Sequence, residues 1–333
     1  MDCLVFAQTI VDVYSPDTRI RIEIDLISRP GSVDSKQHLA YSVIYDNKPL
    51  LEYSQIELNF KDQPAMNSNL ELNDKSYRQI HETWERTWDK SKLVSNHCWE
   101  RTIALREKTG MKREVEFIFR AYNDGIAFRY HLPKQKAFDE FSLVSEKTQF
   151  IFADNHVCWA TKWNRTKFNQ EMNFEKVRIN DLKSEKVIGT PLLVHADNNL
   201  WAALLEANLT DWAGMFLAPE KSVPNAMVTK QARHPKDKSI IVKSKAPRYS
   251  PWRVIMIGQT PGDLVESNLI HNLNEPCTIE DTSWIKPGRC AWDWWWCGKY
   301  APDVDFKLGP NNAIIKYFID FASEMDWEYQ LVD

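Results

Sequence analysis

The string Arg120 to Tyr130, R-A-Y-N-D-G-I-A-F-R-Y, permits very few local folds. Just ahead of it, Glu114 to Phe119 (E-V-E-F-I-F) alternates charged and apolar side chains. A period of two is what an extended strand with one buried face requires. Asn123-Asp124-Gly125 then supplies residue types that tolerate positive φ, and Ile126 to Leu132 resumes as an apolar strand. The segment is therefore expected to be a β-hairpin whose turn is structural and carries no site.

The same grammar recurs along most of the chain. Arg19 to Ile27 (R-I-R-I-E-I-D-L-I) alternates with Ile20, Ile22, Ile24 and Leu26 on one face. Leu39 to Tyr45 is a second strand, and Asp46-Asn47-Lys48-Pro49 turns it into Leu50 to Tyr53. Trp99 to Glu107, Phe138 to Phe152, Trp212 to Leu217, Ala226 to Lys230 and Ser239 to Ser244 read as further strands. Pro191 to His195 and Leu200 to Asn208 form a hairpin around Asp197-Asn198-Asn199, and Pro251 to Gly258 is an apolar, buried strand. Tyr77 to Ser91 mixes Trp84 and Trp88 with many charges and receives no assignment. Pro261-Gly262-Asp263 ends the apolar strand, and Asp263 to Asn272 is expected to be a short helix capped by Asp263. Many short strands joined by polar turns define an antiparallel β domain.

Asp281 to Trp296 (D-T-S-W-I-K-P-G-R-C-A-W-D-W-W-W) marks a change. It holds Trp284, Trp292, Trp294, Trp295 and Trp296 out of 14 Trp in the chain. Beyond it, Ile314, Phe318, Phe321 and Met325 fall at helical spacing within Asn311 to Met325, with Pro310 where a helix start tolerates it. Glu328 to Asp333 then reads as a short strand. Ala291 to Trp296, the helix and Tyr329 to Asp333 thus make one β-α-β unit, which cannot cover both faces of its own strands. The expectation is a barrel or sheet that continues past Asp333.

Composition narrows the function classes. A net charge of −4 gives no basic footprint for nucleic acid. No apolar run approaches the roughly 20 residues of a membrane span. The six Cys form no C-x-x-C pair, so neither a zinc site nor a disulfide framework is expected. The eight His show no H-x-H or H-E-x-x-H pairing, and there is no G-x-S-x-G, P-loop or dinucleotide fingerprint. The surplus of indoles beside Asp and Lys suits a sugar site, where flat apolar faces stack on pyranose rings. Met1 to Gln8 is too short and acidic for a full signal peptide, so residues 1–14 are a signal-peptide remnant or a frayed N-terminus.

Taken in order, six segments resemble glycoside hydrolase family 97, bacterial α-glucosidases and α-galactosidases. They are R-A-Y-N-D-G-I-A-F-R-Y from Arg120, L-E-A-N-L-T-D-W-A-G-M from Leu205, S-P-W-R-V-I-M-I-G from Ser250, N-L-N-E-P from Asn272, D-T-S-W-I-K-P-G from Asp281, and the run from Tyr317 to Asp333. The resemblance implies a mainly β chain. A large antiparallel β-super-sandwich over residues 15–276 would be followed by the first β-α-β unit of an incomplete (β/α)8 catalytic barrel over residues 277–333. It implies hydrolysis of α-glucosides or α-galactosides in an oligosaccharide, and export to the periplasm or beyond. The catalytic carboxylates would lie on later barrel strands, so the chain by itself is expected to be inactive.

The resemblance also implies an active-site calcium with one ligand from the first domain, at the position of Glu206. Calcium prefers oxygen donors, which a carboxylate supplies. From composition alone a solvated strand-end Glu is favoured for Glu206, and the resemblance reverses that preference. Trp294, Trp295 and Trp296, at the C-terminal end of the first barrel strand, and Asp333, at the end of the second, are the candidate substrate contacts. For the tryptophans the alternative is plain core packing. Asn274, Glu275 and Lys286 bracket the junction, where turn chemistry and solvation explain them as well. The rival reading of the whole chain is a sugar-binding β-sandwich module without chemistry.

Overall fold

A computed structural model describes residues 7–28, 37–136, 139–164, 171–183, 186–196, 199–292, 304–307, 309 and 311–332. The strands, in chain order, are β1 (Ala7–Tyr14), β2 (Ile20–Ser28), β3 (Gln37–Tyr45), β4 (Lys48–Phe60), β5 (Leu70–Glu85), β6 (Leu93–Glu107), β7 (Glu114–Tyr122) and β8 (Gly125–Leu132). Next come β9 (Glu140–Phe152), β10 (Val157–Ala160), β11 (Lys162–Trp163), β12 (Glu175–Arg178), β13 (Val187–Ile188), β14 (Leu192–Ala196) and β15 (Leu200–Ala207). They are followed by β16 (Met215–Pro219), β17 (Ala226–Gln231), β18 (Val242–Lys245), β19 (Arg248–Tyr249) and β20 (Trp252–Gly258). Helices α1 (Pro261–Glu266) and α2 (Leu269–Asn272), strand β21 (Cys290–Trp292), helix α3 (Asn312–Glu324) and strand β22 (Tyr329–Leu331) complete the chain.

Contacts divide the molecule into two units, Met1–Trp84 with Ser95–Pro276, and Glu85–Val94 with Cys277–Asp333. The first unit is a sandwich of two antiparallel ten-stranded sheets. One runs β1-β2-β3-β4-β9-β17-β16-β13-β11, with β18 also on β9. The other runs β12-β10-β14-β15-β20-β8-β7-β6-β5, with β19 on β8. Alternation puts Ile20, Ile22 and Ile24 of the first sheet and Phe119, Phe128 and Ile255 of the second into one shared core. Tyr41 crosses it, its ring 4.7 Å from Phe128 and its hydroxyl donating to Gln149 O at 2.8 Å, so its one polar atom is satisfied. Each such side chain, moved from water to this core, contributes about 1.5–3 kcal/mol.

The outer face of the second sheet carries a smaller core, in which Ala203, Trp252 and Val254 meet Leu269 and Leu273 of the α1–α2 segment. This segment begins differently from the expectation. Its N-cap is Thr260, whose hydroxyl accepts from Asp263 N at 3.3 Å, while the Asp263 carboxylate takes Thr260 N at 2.8 Å. Asp263 is thus the third helical residue of a capping box, and Pro261 stands first, where its missing N–H costs nothing.

The mixed stretch from Tyr77 is part of β5, a sixteen-residue strand at the sheet edge. Nearly all of β5 is exposed on both faces. An edge strand without a buried face has no period-two signal to read. Strand β1 pairs antiparallel with β2 and so uses residues set aside above as leader or fray.

In the second unit, β21 and β22 pair in parallel with α3 between them, a β-α-β unit. Ile314, Phe318 and Ala322 of α3 are buried against Ala291 of β21. The N-cap is Asn311, whose side-chain oxygen accepts from Ala313 N at 2.9 Å and Ile314 N at 3.1 Å. No helix among the described residues is long and apolar enough to cross a membrane.

Candidate functional site

Glu206 does not follow its strand but lies inside it. β15 pairs with β20 so that Glu206 stands directly opposite Arg253, and Arg253 opposite Phe128 of β8. Directly opposed residues share a sheet face. Because Phe128 points into the sandwich, Arg253 and Glu206 do too. Arg253 is only 1% exposed, in a strand otherwise built of Trp, Val, Ile and Met. A guanidinium there is tolerable only if its donors are all used.

The second sheet's arginine finds its main partner in the first sheet. Arg253 Nε donates to Glu146 Oε1 and Nη2 to Oε2, each at 2.7 Å, a bidentate pair fully closed to water. Arg253 Nη1 reaches Glu206 Oε2 at 2.9 Å. Tyr130 Oη donates to Glu146 Oε2 at 3.0 Å, Thr148 Oγ1 donates to Oε1 at 3.1 Å, and Met215 N donates to Glu206 Oε1 at 2.7 Å. Burial pushes the Glu206 carboxyl above its ordinary value, against the pull of Arg253 and the Met215 N–H. For Arg253, the two carboxylates outweigh burial and hold the proton more firmly than usual. Two carboxylates and one guanidinium leave the cluster with a net charge of −1, offered at the Glu206 end, where the side chain is 13% exposed.

Neither Arg253 nor Glu146 was singled out from sequence. For Arg253 a signal existed: one charge inside P-W-R-V-I-M-I-G has no water to face. For Glu146 the alternation is broken, because the β4–β9 register shifts between Asn59, opposite Ser145, and Phe60, opposite Leu143. A bulge of this kind moves the inward positions by one.

Glu206 fits a single place in a calcium shell. Each of its oxygens takes one N–H and keeps a second acceptor direction. Among the described residues no group of three or more His, Cys, Asp or Glu converges as a metal site. The remaining oxygens of such a shell do not come from a described carboxylate, His or Cys cluster. Of the other candidates, Trp294, Trp295, Trp296 and Asp333 lie outside the described residues. Trp284 is 67% exposed and Trp292 half-buried. Lys286 offers its carbonyl to Tyr329 Oη at 2.7 Å. Asn274 Nδ2 donates to Ile270 O at 2.7 Å, and Glu275 accepts from Asn208 Nδ2 at 3.3 Å.

A ten-plus-ten antiparallel sandwich with a β-α-β unit beyond it agrees with what known proteins show. The family description "Glycosyl-hydrolase 97 N-terminal" matches residues 13–276. The chain belongs to glycoside hydrolase family 97, whose N-terminal domain those residues form. A retaining alpha-galactosidase of Bacteroides thetaiotaomicron is 27% identical over 98% of this chain and 50% of its own length. A probable retaining alpha-galactosidase of Streptomyces bingchenggensis is 22% identical over 80% of this chain and 38% of its own. A family 97 enzyme of Pseudoalteromonas sp. strain K8, solved in complex with acarbose, superposes with a TM-score of 0.82 at 26% identity, over 97% of this chain and 47% of that one. The chain therefore spans about half the length of these relatives.

Proposed function

We propose that this chain is the N-terminal half of a calcium-dependent α-glycosidase that hydrolyses α-linked galactosides or glucosides. The observation that carries it is the match of residues 13–276 to the family's N-terminal domain, followed in the chain by a parallel β-α-β unit. One relative is named as a retaining alpha-galactosidase and another as a probable one, which puts galactosides first. Glycosidases of this chemistry act with two carboxylates flanking the scissile bond. In this reading that pair lies on barrel strands beyond these residues, and the chain alone does not turn over substrate. In this reading the oligosaccharide meets Trp294, Trp295, Trp296 and Asp333. The location is the periplasm or outside the cell.

Calcium fits here through one ligand, Glu206, and when bound it would polarise and orient the sugar as a Lewis acid. This chain's own residues hold that ligand ready. Arg253 fixes one oxygen of Glu206, Met215 N fixes the other, and Glu146 anchors Arg253 from the opposite sheet. The net −1 charge of the triad supports a cation at its open end.

The test joins these residues to the C-terminal half of a relative and measures hydrolysis of nitrophenyl α-galactoside and α-glucoside, with and without chelator. Activity that needs calcium, and falls by at least about tenfold in Glu206→Gln, is the expected result. Activity indifferent to chelator and to Glu206→Gln would leave Glu206 as nothing more than a partner of Arg253. No activity on either sugar would turn the reading toward the binding module.

A further inference from the structure

On the outer face of the second sheet, Arg129 lies against two aromatic rings. Its guanidinium carbon lies 4.4 Å from the centroid of Tyr249 and 4.4 Å from that of Trp252. Tyr249 also stacks on His131, with ring centroids 4.0 Å apart, and Trp252 also carries the Arg120 guanidinium at 4.6 Å. Two aromatic faces thus engage the guanidinium, and the fork of its Nη N–H groups supplies the donors left to act. Nε is shut off from water and has no hydrogen-bond partner, and no carboxylate among the described residues pairs with the group.

Arg129 lines an open cleft of about 430 Å³ together with Arg248, Tyr249, Asn208, Asn274 and Glu275. That size is within the range of small-molecule sites. The charges in it are laid out in a definite way. Arg248 is engaged by Asp211, its Nη1 lying 3.2 Å from Oδ2. Glu275 acts on Arg129 electrostatically without pairing to it. One cation edge and one carboxylate therefore face the same space, with amides between them and no net charge. A carboxylate or phosphate entering would be attracted by Arg129 and repelled by Glu275. A neutral molecule with adjacent hydroxyls satisfies both, accepting from the guanidinium and donating to the carboxylate.

We propose that the cleft lined by Arg129 and Glu275 is a carbohydrate site that binds a neutral pyranose by its hydroxyls. The choice of a sugar as occupant rests on the glycosidase reading; the cleft and its unpartnered fork do not. The Tyr249 and Trp252 rings pre-orient the fork, so little freedom is lost when it closes on a diol.

The test is calorimetric titration of the 333-residue chain with methyl α-galactoside, methyl α-glucoside and, separately, sodium acetate. Arg129→Lys keeps the charge against the rings and removes the fork. Glu275→Gln changes an exposed side chain and folds even if the first variant does not. The expected result is weak sugar binding that drops about tenfold in either variant, with the melting temperature unchanged, because one charged hydrogen-bonding partner has been lost. Glu206→Gln should leave this binding as it is. Acetate binding in place of sugar, no binding by the unaltered chain, or binding that responds only to Glu206→Gln would each overturn the proposal. Hydrolysis by the barrel fusion is read independently, so loss of the cleft and loss of the glycosidase reading are told apart.

Discussion

Arg253 and Glu146 meet between the sheets with two parallel hydrogen bonds of 2.7 Å, both side chains at most 1% exposed. The pair ties β20 of one sheet to β9 of the other. Arg253→Met would leave Glu146 charged, buried and short of its main partner. The expected loss is about 3–5 kcal/mol, read as a lowered urea midpoint. Glu146→Leu combined with Arg253→Met should lose less than Arg253→Met alone, because the fully buried Glu146 charge is then gone and only the Glu206 carboxylate, 13% exposed, stays without its cation. A double variant as unstable as the sum of its singles would show that the pair is not an energetic unit.

Asp124 gives a pH signature. Burial pushes its carboxyl above the ordinary value of 3.8, although Ser267 Oγ donates to it at 2.7 Å. The folded state therefore holds this proton more tightly than the unfolded chain. Stability from this group is present below the unfolded value and is lost as pH rises through the folded one. Asp124→Asn should flatten that fall just above pH ~4 in urea titrations at stepped pH. Identical slopes for both proteins would remove Asp124 from the account.

Gly125 begins β8 at φ +150°, and a Cβ there would run into Ile255 O and sit 2.9 Å from Met256 Cα. Neighbouring strand backbone cannot move aside cheaply. Gly125→Ala should cost well over ~1 kcal/mol in thermal unfolding. Asn123→Ala should be milder on the turn itself, since Asn123 is not at positive φ; what it loses is the bond that Asp17 N donates to Asn123 Oδ1 at 3.0 Å.

Asn311 caps α3 with two backbone hydrogen bonds. Asn311→Ala should weaken that helix by about 1 kcal/mol. Hydrogen exchange at the first-turn amides of α3 is the direct readout, and unchanged protection there would show that packing on Ala291 alone holds the helix start.

The strands were legible where one face is buried and the other wet. β2 and the β7–β8 hairpin announce themselves by alternation, and β15 by the turn residues ahead of an apolar run. β5 was not, because both its faces are exposed. The helix start at Thr260 was placed three residues late, since Asp263 carries the stronger-looking cap but serves at the third position. For the site, Glu206 was named only through the family resemblance of L-E-A-N-L, since the residues alone favoured a solvated strand end. Its partners were not, because Glu146 follows a bulge and Arg253 is a single letter in an apolar run. The cleft at Arg129 shows the same limit: Asn274 and Glu275 drew notice as junction residues, yet nothing local told them from solvated turn residues.

By itself the sequence determined the antiparallel strand grammar, the switch to helical spacing after the Trp-rich stretch, and the family. The first two follow from interactions between residues a few positions apart, whose periodicity is written in the order of side chains, and the family follows from the resemblance of six segments in order. The tertiary structure decided which charges pair. Arg253 and Glu146 are 107 positions apart, and Arg253 and Glu206 are 47 apart. Only the register of β15 on β20 and the stacking of one sheet on the other bring them within hydrogen-bonding distance. Burial then decides the rest, because a carboxylate out of water has to find a cation or give up its charge.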